Sequence, residues 1–190
     1  MTRLTDQAHE LIAAVLQPGE TAIDATAGNG HDTLFLCQTV GQTGKVFALD
    51  IQQAALDQAA ELLQQAGISN GELICCDHSS LGNIIPETYL ERIGTIMFNL
   101  GYLPGGDHCQ ITKTDSTLAA IEAALLLLRP GGILTVLAYP GHPGGDSESQ
   151  AVAERFSQLE TSGYESEVIH ARSESTSAPR LFVVKKRGRV

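Results

Sequence analysis

The sequence predicts an α/β fold with a seven-stranded, mostly parallel sheet, helices on both faces and a C-terminal antiparallel hairpin. Short apolar segments alternate with longer segments of helical spacing along most of the chain, as in repeated strand–helix units. The first unit is joined by a turn that contains Gly28 and Gly30, and the next two strands end in Asp50 and Asp77. At 190 residues the chain is long enough for one such domain, residues 1–190, and short for two.

The predicted elements follow one another in a regular order. Apolar residues at helical spacing from Leu4 to Leu16 predict a leading helix, which Pro18-Gly19 ends. The predicted strands cover residues 21–25, 45–49, 72–76, 94–98, 133–138, 164–170 and 181–185, and the other helices cover 31–39, 52–66, 117–128 and 147–161. The strands at 72–76 and 94–98 do not alternate polar with apolar residues, which predicts that both of their faces are covered. The last two strands have no helix between them, and this predicts the hairpin.

Composition limits the classes of function. A hydrophobic content of 43% with 18% charged residues is ordinary for a globular protein, and no apolar run is long enough to span a bilayer. The N-terminus lacks the apolar core of a signal peptide, so a cytoplasmic location is expected. The four cysteines form no C-x-x-C pair and the six histidines no H-x-x-x-H spacing, so we expect free, buried thiols and no metal site.

The charge distribution bears on nucleic-acid binding. The net charge of −10 disfavours non-specific adhesion, because phosphate contacts need lysine and arginine, although it leaves room for a local RNA footprint. Basic residues crowd residues 180–189, here called the basic segment, and Arg172 lies upstream of it. The basic segment is interpreted either as a set of phosphate contacts or as a solvated tail.

The stretch 23–33 runs from a short apolar strand into a glycine turn and then a helix. Glycine lets a backbone lie directly against a ligand, and the next helix offers free N–H groups and the positive end of its dipole, so the stretch predicts a nucleotide or cofactor cradle. A dinucleotide fingerprint is incomplete, because Thr33 stands in the position of its third glycine. The pattern is instead similar to that of class I S-adenosylmethionine (SAM) methyltransferases, except that Thr26 stands where their first glycine usually lies. The residues that match this pattern are Asp24, Gly28, Gly30, Asp50 and Asp77.

Two unusual loops follow the fourth and fifth strands, at the edge where α/β sheets bind ligands. They cover residues 99–108 and 139–146, and both combine an aromatic residue with ionisable groups. Asn99-Leu100-Gly101-Tyr102 resembles the Asn-Pro-Pro-Tyr motif of amino methyltransferases, with Leu and Gly in place of the prolines. In that motif the asparagine side chain and the next backbone carbonyl accept hydrogen bonds from an amine and so orient it for transfer, while the aromatic ring stacks on a base.

Three motifs together, at residues 24–33, 98–107 and 139–145, resemble the rRNA methylase family over nearly the whole chain. That family includes the bacterial tRNA 5-aminomethyl-2-thiouridine methyltransferases. The resemblance implies a Rossmann-like class I methyltransferase fold, SAM as cofactor, and methylation of the aminomethyl group of the wobble uridine. It also implies the tRNA anticodon region as partner. No membrane partner is expected, because no apolar run is long enough to span a bilayer, and a homodimer is a hypothesis for the assembly.

The same resemblance implies a set of site residues. Asp50 would bind the ribose hydroxyls and Asp77 the adenine amino group, while Gly28–Gly30 would face the methionine end of the cofactor. The full cofactor set is Asp24, Ala27, Gly28, Asn29, Gly30, Asp32, Asp50, Ile51, Asp77, His78 and Asn99. The substrate set is Leu100, Gly101, Tyr102, Tyr139 and His142, and the catalytic set is Asn99, Tyr102, Asp107 and His142.

An alkylamine is mostly protonated near neutral pH, so methylation requires that the amine lose a proton. Either desolvation favours the neutral amine, or a base takes the proton, with Asp107, His108 and His142 as candidates that could equally be structural loop residues. Rival functions are a small-molecule or rRNA methyltransferase and a catalytically silent RNA-binding module of the same fold.

Overall fold

The fold is built on one mixed sheet flanked by helices. The computed structural model of the chain describes residues 3–101, 112–141, 143–159, 162–171 and 178–188. The helices in these residues are α1 (Leu4–Ala13), α2 (His31–Val40), α3 (Gln53–Gln65), α4 (Leu81–Ile84), α5 (Thr114–Leu127) and α6 (Gly145–Leu159). The strands are β1 (Thr21–Asp24), β2 (Lys45–Asp50), β3 (Gly71–Cys75), β4 (Ile93–Asn99), β5 (Leu128–Ala138), β6 (Tyr164–His170) and β7 (Arg180–Lys186). Single 3₁₀ turns lie at His78–Ser80 and Glu87–Tyr89.

The strand order confirms the predicted fold class. The seven strands lie in the order β3-β2-β1-β4-β5-β7-β6, and all neighbours from β3 to β5 are parallel. β7 runs antiparallel to both β5 and β6, so the last strand in sequence lies inside the sheet. Arg180, at the start of β7, therefore pairs with Ala138 at the carboxyl end of β5, and Lys185 pairs with Ile133 in the middle of that strand.

Helices cover both faces of the sheet, as predicted. One apolar cluster joins α1, α2 and α3 to the sheet through side chains such as Ile12, Leu36 and Leu63. The other joins α4, α5 and α6 to the opposite face. Because alternate strand residues point to opposite faces, Ala22 belongs to the first cluster and its neighbour Ile23 to the second.

Coverage of both faces is confirmed for β4, where residues 93–98 are all buried, but the prediction is wrong for β3. β3 is an edge strand, and its Glu72 and Cys75 are exposed. The expectation of buried thiols consequently holds for Cys37 and fails for Cys75, while Cys76 is half-buried. Cys109 lies outside the described residues.

β5 begins at Leu128, directly after α5, and not at the predicted Ile133. Leu128 pairs with Ile93 and Ile133 with Thr95, so residues 129–132 bulge opposite the single residue Gly94. The Pro-Gly-Gly sequence that resembles a helix stop and turn is the bulge itself. A Cβ on Gly132 would lie 2.9 Å from the Arg129 carbonyl oxygen, which explains the small residue there. In the described ranges, no helix is both long and apolar enough to cross a bilayer.

Candidate functional site

The candidate site lies where β1 and β4 end side by side and their connections leave in opposite directions. Open α/β sheets bind ligands at such a switch point, beyond the carboxyl ends of the strands. The residues that meet here come from the glycine turn after β1, the first turn of α2, and the ends of β2 and β4. These elements hold the predicted residues Asp24, Asp32, Asp50 and Asn99 close together.

The two positions of the turn that hold glycine require it for different structural reasons. Gly28 has φ 49° and Gly30 has φ 84°, both in the left-handed region that favours glycine. The Gly28 N–H donates to Asp50 Oδ2 at 2.8 Å, which fixes the turn against the end of β2. A Cβ on Gly30 would lie 2.7 Å from the Cβ of Ala59, so Gly30 is required for the close approach of α3. Ala27, between them and β1, is buried and donates its N–H to the Leu49 carbonyl at 2.8 Å.

Asp24 is a buried carboxylic acid at the end of β1. Its side chain is 1% exposed and accepts hydrogen bonds from Thr33 Oγ1 at 2.6 Å and from the Thr26 N–H at 3.2 Å. Burial, followed by the charge of Asp32, raises the pKa of Asp24 to about 7. Thr33 thus serves as a partner of Asp24 in the position where a dinucleotide fingerprint has its third glycine.

Asp32, in the first turn of α2, bridges two elements. One of its oxygens, Oδ1, lies 2.7 Å from Nε2 of His9 on α1, and the other, Oδ2, accepts a long hydrogen bond of 3.4 Å from Nδ2 of Asn99. The His9 ring stacks on Phe35 with the ring centroids 3.9 Å apart and an interplanar angle of 8°. His9 was absent from the predicted site, because an isolated histidine on an amphipathic helix gives no motif.

Thr26, which stands where class I methyltransferases usually have their first glycine, has a structural role that glycine could not fill. Its Oγ1 accepts a hydrogen bond of 2.6 Å from the backbone N–H of Asn99. The hydroxyl therefore ties the glycine turn to the end of β4, across the switch point. The local geometry of Asn99 is set by Thr26 on its backbone and by Asp32 on its side chain.

Asn29 carries an unsatisfied acceptor at the centre of the turn. Its Oδ1 atom is buried and has no hydrogen-bond partner within the described parts of the chain. A buried acceptor without a partner costs free energy, on the order of 1 to 3 kcal/mol. Such an atom is suited to receive a donor group from a ligand in the cradle.

The other strand-end acids lie along the same edge. Asp50 accepts the Gln52 N–H at Oδ1, at 2.8 Å, in addition to the bond from Gly28, and the neighbouring Ile51 is exposed. Asp77 caps the following turn by accepting the Ser79 N–H at 2.8 Å. Partial burial alone would raise the pKa of Asp77, but the hydrogen bonds from Ser79 outweigh it and hold the pKa below its ordinary value.

His78 and Glu148 belong to a buried polar network next to the site. The His78 ring packs edge-on against Phe98, and burial lowers the pKa of its imidazole. His78 Nε2 lies 3.4 Å from Thr117 Oγ1, which donates to Glu148 Oε1 at 2.6 Å. The His78 side chain is thus engaged, through Nε2, in a contact away from solvent. Glu148, 2% exposed, was missed by the sequence analysis, since its neighbours Ser147 and Ser149 make it resemble a solvated helix start.

Glu148 also holds the residues that follow β4. Its Oε2 accepts a hydrogen bond of 2.7 Å from Thr112 Oγ1, and that hydroxyl accepts the Gly101 N–H at 3.1 Å. The Leu100 side chain is buried in the core, so its backbone carbonyl is the group that can meet a substrate. Gly101 has φ 138°.

Of the remaining predicted residues, Tyr139 lies within the described part of the chain. Tyr139 is 37% exposed at the end of β5, hydrogen-bonds Thr5 of α1, and has its pKa raised by partial burial. Four predicted residues lie outside the described residues: Tyr102, Asp107, His108 and His142.

Most of the basic segment lies away from the site. Lys186 donates from Nζ to the Leu128 carbonyl at 2.8 Å and lies 3.0 Å from Glu91 Oε1, with a side chain only 15% exposed. Lys186 is therefore neither a phosphate contact nor part of a solvated tail. Two terms describe the two ends of the sheet: the amino edge, where the parallel strands begin, and the carboxyl edge, where they end. Because β7 is antiparallel, it places Lys185, Lys186 and Arg187 at the amino edge and Arg180 at the carboxyl edge.

Comparisons with known proteins agree with this architecture. The family model described as "Putative rRNA methylase" matches residues 46–185. A chloroplastic tRNA (mnm(5)s(2)U34)-methyltransferase of Arabidopsis thaliana is 42% identical over 160 residues, which cover 79% of this chain and 57% of the relative. A ubiquinone/menaquinone biosynthesis C-methyltransferase of Francisella tularensis is 31% identical over 65% of this chain and 44% of its own length. The chain thus spans about half the length of these curated relatives.

Two solved structures match almost from end to end. A "putative rRNA-methylase" from Clostridium thermocellum superposes with a TM-score of 0.91 at 32% identity and covers 98% of both chains. A "putative methyltransferase" from Streptococcus mutans, solved in complex with SAH, has a TM-score of 0.85 at 33% identity and covers 98% of this chain and 99% of its own.

Proposed function

Because this chain belongs to the rRNA methylase family, we propose that it is a SAM-dependent N-methyltransferase of tRNA whose target is the aminomethyl group of wobble 5-aminomethyl-2-thiouridine. The observation that carries the proposal is the placement of Asn99, whose amide lies at the switch point with its nitrogen held by Asp32. The relative at 42% identity bears the name of this activity. A cytoplasmic location is part of the same proposal.

The residues around the glycine turn fit SAM chemically. The cofactor carries a sulfonium and an ammonium against one carboxylate, so its net charge is positive, and the carboxylates of Asp32 and Asp50 lie beside the turn. Oδ1 of Asn29, which has no hydrogen-bond partner among the described residues, is a suitable acceptor for an ammonium N–H. Asp50 would hold the ribose hydroxyls and Asp77 the adenine amino group, since both lie at strand ends of the same edge. When bound, SAM supplies a methyl group activated by its sulfonium.

Asn99 and Leu100 would orient the amine. An ionised carboxylate is only an acceptor, so the amide of Asn99 turns its NH₂ group toward Asp32 and keeps Oδ1 available for a substrate N–H. The backbone carbonyl of Leu100 supplies a second acceptor. Two acceptors on the amine hydrogens aim its lone pair, and this positioning is the main contribution that the protein can make to a displacement reaction.

The proton of the amine must be removed before attack. Neither an amide nor a backbone carbonyl is a useful base, so this step depends on desolvation or on another group. Asp107 and His142 remain the predicted candidates. Single-turnover rates measured across pH for Asp107→Ala and His142→Ala would identify the base, because loss of the true base lowers the rate at neutral pH and is partly rescued at alkaline pH.

Transfer from isotope-labelled SAM tests the substrate. The purified protein is incubated in parallel with bulk tRNA from a strain lacking this gene, with rRNA, and with a small-molecule extract, and Asn99→Ala serves as the inactive control. We expect label in tRNA alone, and nucleoside mass spectrometry should place the added methyl group on the wobble uridine. Label in rRNA or in the extract alone would replace the tRNA proposal by one of its rivals, and no label in any arm would indicate a silent module.

Two observations favour the small-molecule alternative. A net charge of −10 suits a small substrate better than a polyanion, and part of the basic segment is held by internal contacts. Arg180 at the carboxyl edge, and Lys113, whose charge acts on the pKa of Asp77, are described basic residues on the side of the site that could contact a phosphate.

A further inference from the structure

We propose that His9 is a positioning residue for methyl transfer: through Asp32, it holds the amide of Asn99 in the orientation that presents Oδ1 to the substrate amine. The inference rests on the proposed function, because it assigns a role in the same reaction. His9 lies on α1, outside the glycine turn and the loop motifs that identify the family. Its contribution would be transmitted through two contacts: His9 to Asp32 and Asp32 to Asn99.

The first contact is a short hydrogen bond from a ring that is held in place by stacking. His9 Nε2 lies 2.7 Å from Asp32 Oδ1, and because a carboxylate only accepts, Nε2 carries the proton and donates. The ring plane is set by Phe35, whose ring is parallel to it within 8°. Stacking fixes the ring orientation and the hydrogen bond fixes the carboxylate, so neither group has to be ordered when substrate arrives.

The second contact selects one of the two orientations of the Asn99 amide. With Oδ1 of Asp32 engaged by His9, Oδ2 is directed at Asn99 and accepts from Nδ2 at 3.4 Å. The flipped amide would place its oxygen against the carboxylate, and two acceptors facing each other repel. It would also offer an NH₂ group to an amine that needs an acceptor. A hydrogen bond of 3.4 Å is weak by itself. The preference for one amide orientation therefore depends on the carboxylate of Asp32 being held in its position by His9.

The backbone of Asn99 is independently fixed, which makes the side chain the remaining variable. Its N–H donates to Thr26 Oγ1 at 2.6 Å, and the next residue, Leu100, donates its N–H to the Leu137 carbonyl at 2.8 Å. Loss of His9 should therefore leave the position of Asn99 unchanged and release only its amide rotation. A positioning defect of this kind lowers kcat while it spares cofactor affinity.

Two substitutions at His9 separate its ring from its proton. His9→Phe keeps a ring that can stack on Phe35 but has no donor, and His9→Gln supplies a donor without the ring. His170→Gln is the matched control, because His170 is an exposed histidine on β6, four places from β1 in the strand order. Thermal unfolding of each variant shows whether it is folded.

Steady-state methylation and SAH calorimetry provide the first readout. We expect His9→Phe to lower kcat about tenfold or more with SAH affinity within twofold of wild type, and His9→Gln to recover at least part of kcat. A His9→Phe variant with kcat within twofold of wild type would overturn the proposal. So would an equal loss of kcat and SAH affinity, which would make His9 part of the cofactor pocket.

A second readout does not depend on the substrate. The side-chain NH₂ resonances of Asn99, identified by their loss in Asn99→Ala, should shift in His9→Phe, return toward wild type in His9→Gln and stay unchanged in His170→Gln. Unshifted resonances in His9→Phe would overturn the coupling even if the enzyme methylates tRNA. Shifted resonances in a protein that methylates a small amine would support the coupling and refute only the proposed substrate.

Discussion

The amino and carboxyl edges of the sheet differ in how their charged side chains are paired. At the amino edge, Arg129 forms a fork on Glu20 with distances of 2.6 and 3.0 Å, and Lys186 is held by backbone carbonyls and Glu91. Each of these cations faces an anion or an acceptor. At the carboxyl edge, by contrast, the carboxylates of Asp24 and Asp32 lie close enough for the charge of one to raise the pKa of the other.

The difference in charge pairing suggests that the amino edge serves stability and the carboxyl edge serves ligand binding. Paired charges at the amino edge contribute to folding, although partly exposed pairs contribute little each. At the carboxyl edge, the clustered acidic side chains cost folding free energy, and so does the Asn29 oxygen, which no other described residue meets. A cationic ligand would relieve that cost. Residues that break the usual rules of polar satisfaction are expected where a protein binds or reacts.

The largest effect is expected for Asn99→Ala, at the carboxyl edge. Loss of the orienting oxygen should lower turnover by about 100-fold or more, since small errors in position cost that much. Affinity for SAM should stay within a few-fold and thermal stability nearly unchanged. Full activity in a folded Asn99→Ala protein would remove Asn99 from the reaction and weaken the comparison of the two edges.

Asp24→Asn should make the protein more stable at neutral pH. Because the folded pKa of Asp24 is about 7 and its ordinary value is 3.8, the folded state keeps a proton that the unfolded state releases between these values. The contribution of Asp24 to stability therefore declines as pH rises from about 4 to about 7, by an amount on the order of a few kcal/mol. Urea unfolding at pH 4 and pH 8 should show the variant gaining over wild type only at the higher pH. A constant difference would contradict the buried, protonated acid.

Asp50→Ala should reduce SAM affinity more than tenfold, because charge-assisted hydrogen bonds are worth roughly 1.5 to 3 kcal/mol. Part of the loss would come from the glycine turn, since Asp50 also accepts the Gly28 N–H. Asp50→Asn keeps one acceptor for that bond and isolates the contribution of charge. Calorimetry that shows unchanged affinity in a folded Asp50→Ala variant would exclude the ribose role.

Arg129→Met should destabilise the fold by about 1.5 kcal/mol after allowance for its partial exposure, with no change in kcat. The guanidinium has side-chain exposure of 23% and bonds both Glu20 and the Val15 carbonyl. Chemical unfolding and steady-state kinetics measure the two quantities. A fall in kcat without loss of stability would show that the amino edge takes part in function.

The smallest effect is expected for neutralisation of Lys185 and Arg187 together. Both lie at the amino edge, so tRNA affinity and the dependence of binding on salt should change by less than twofold. Arg180→Gln, at the carboxyl edge, should weaken binding and reduce the salt slope by about one. The opposite ranking would place the RNA on the amino edge.

The sequence predicts the fold correctly where a local pattern of residues is enough to determine the structure. Apolar strands with a glycine turn and strand-end acids were sufficient to place Asp24, Asp32 and Asp50 at one edge. The antiparallel final strand was also predictable, but its insertion between β5 and β6 was not, because pairing partners depend on tertiary contacts. Pro130-Gly131-Gly132 predicts a turn in any local analysis, and only the pairing with β4 makes it a bulge.

Parts of the site were not predictable for a related reason. His9 lies 23 positions before its partner Asp32, on another helix, and no short motif contains both. Glu148 is surrounded by serines in sequence, whereas in the fold it is buried against Thr112 and Thr117. Long-range polar pairs leave no periodic signal, so they emerge only when the helices are packed.

The position of β7 has a consequence for how the chain is made. β7 joins β5 to β6, so the edges of both strands that pair with β7 stay open from the synthesis of each strand until residues 180–186 leave the ribosome. Open edges invite pairing with other chains. The exposed charges of Glu165 and Glu167 on β6 would discourage such pairing during this interval. Strands β1 to β5, which carry the cradle and Asn99, can meanwhile assemble in order from the amino-terminal side, and completion of the sheet waits for its last strand.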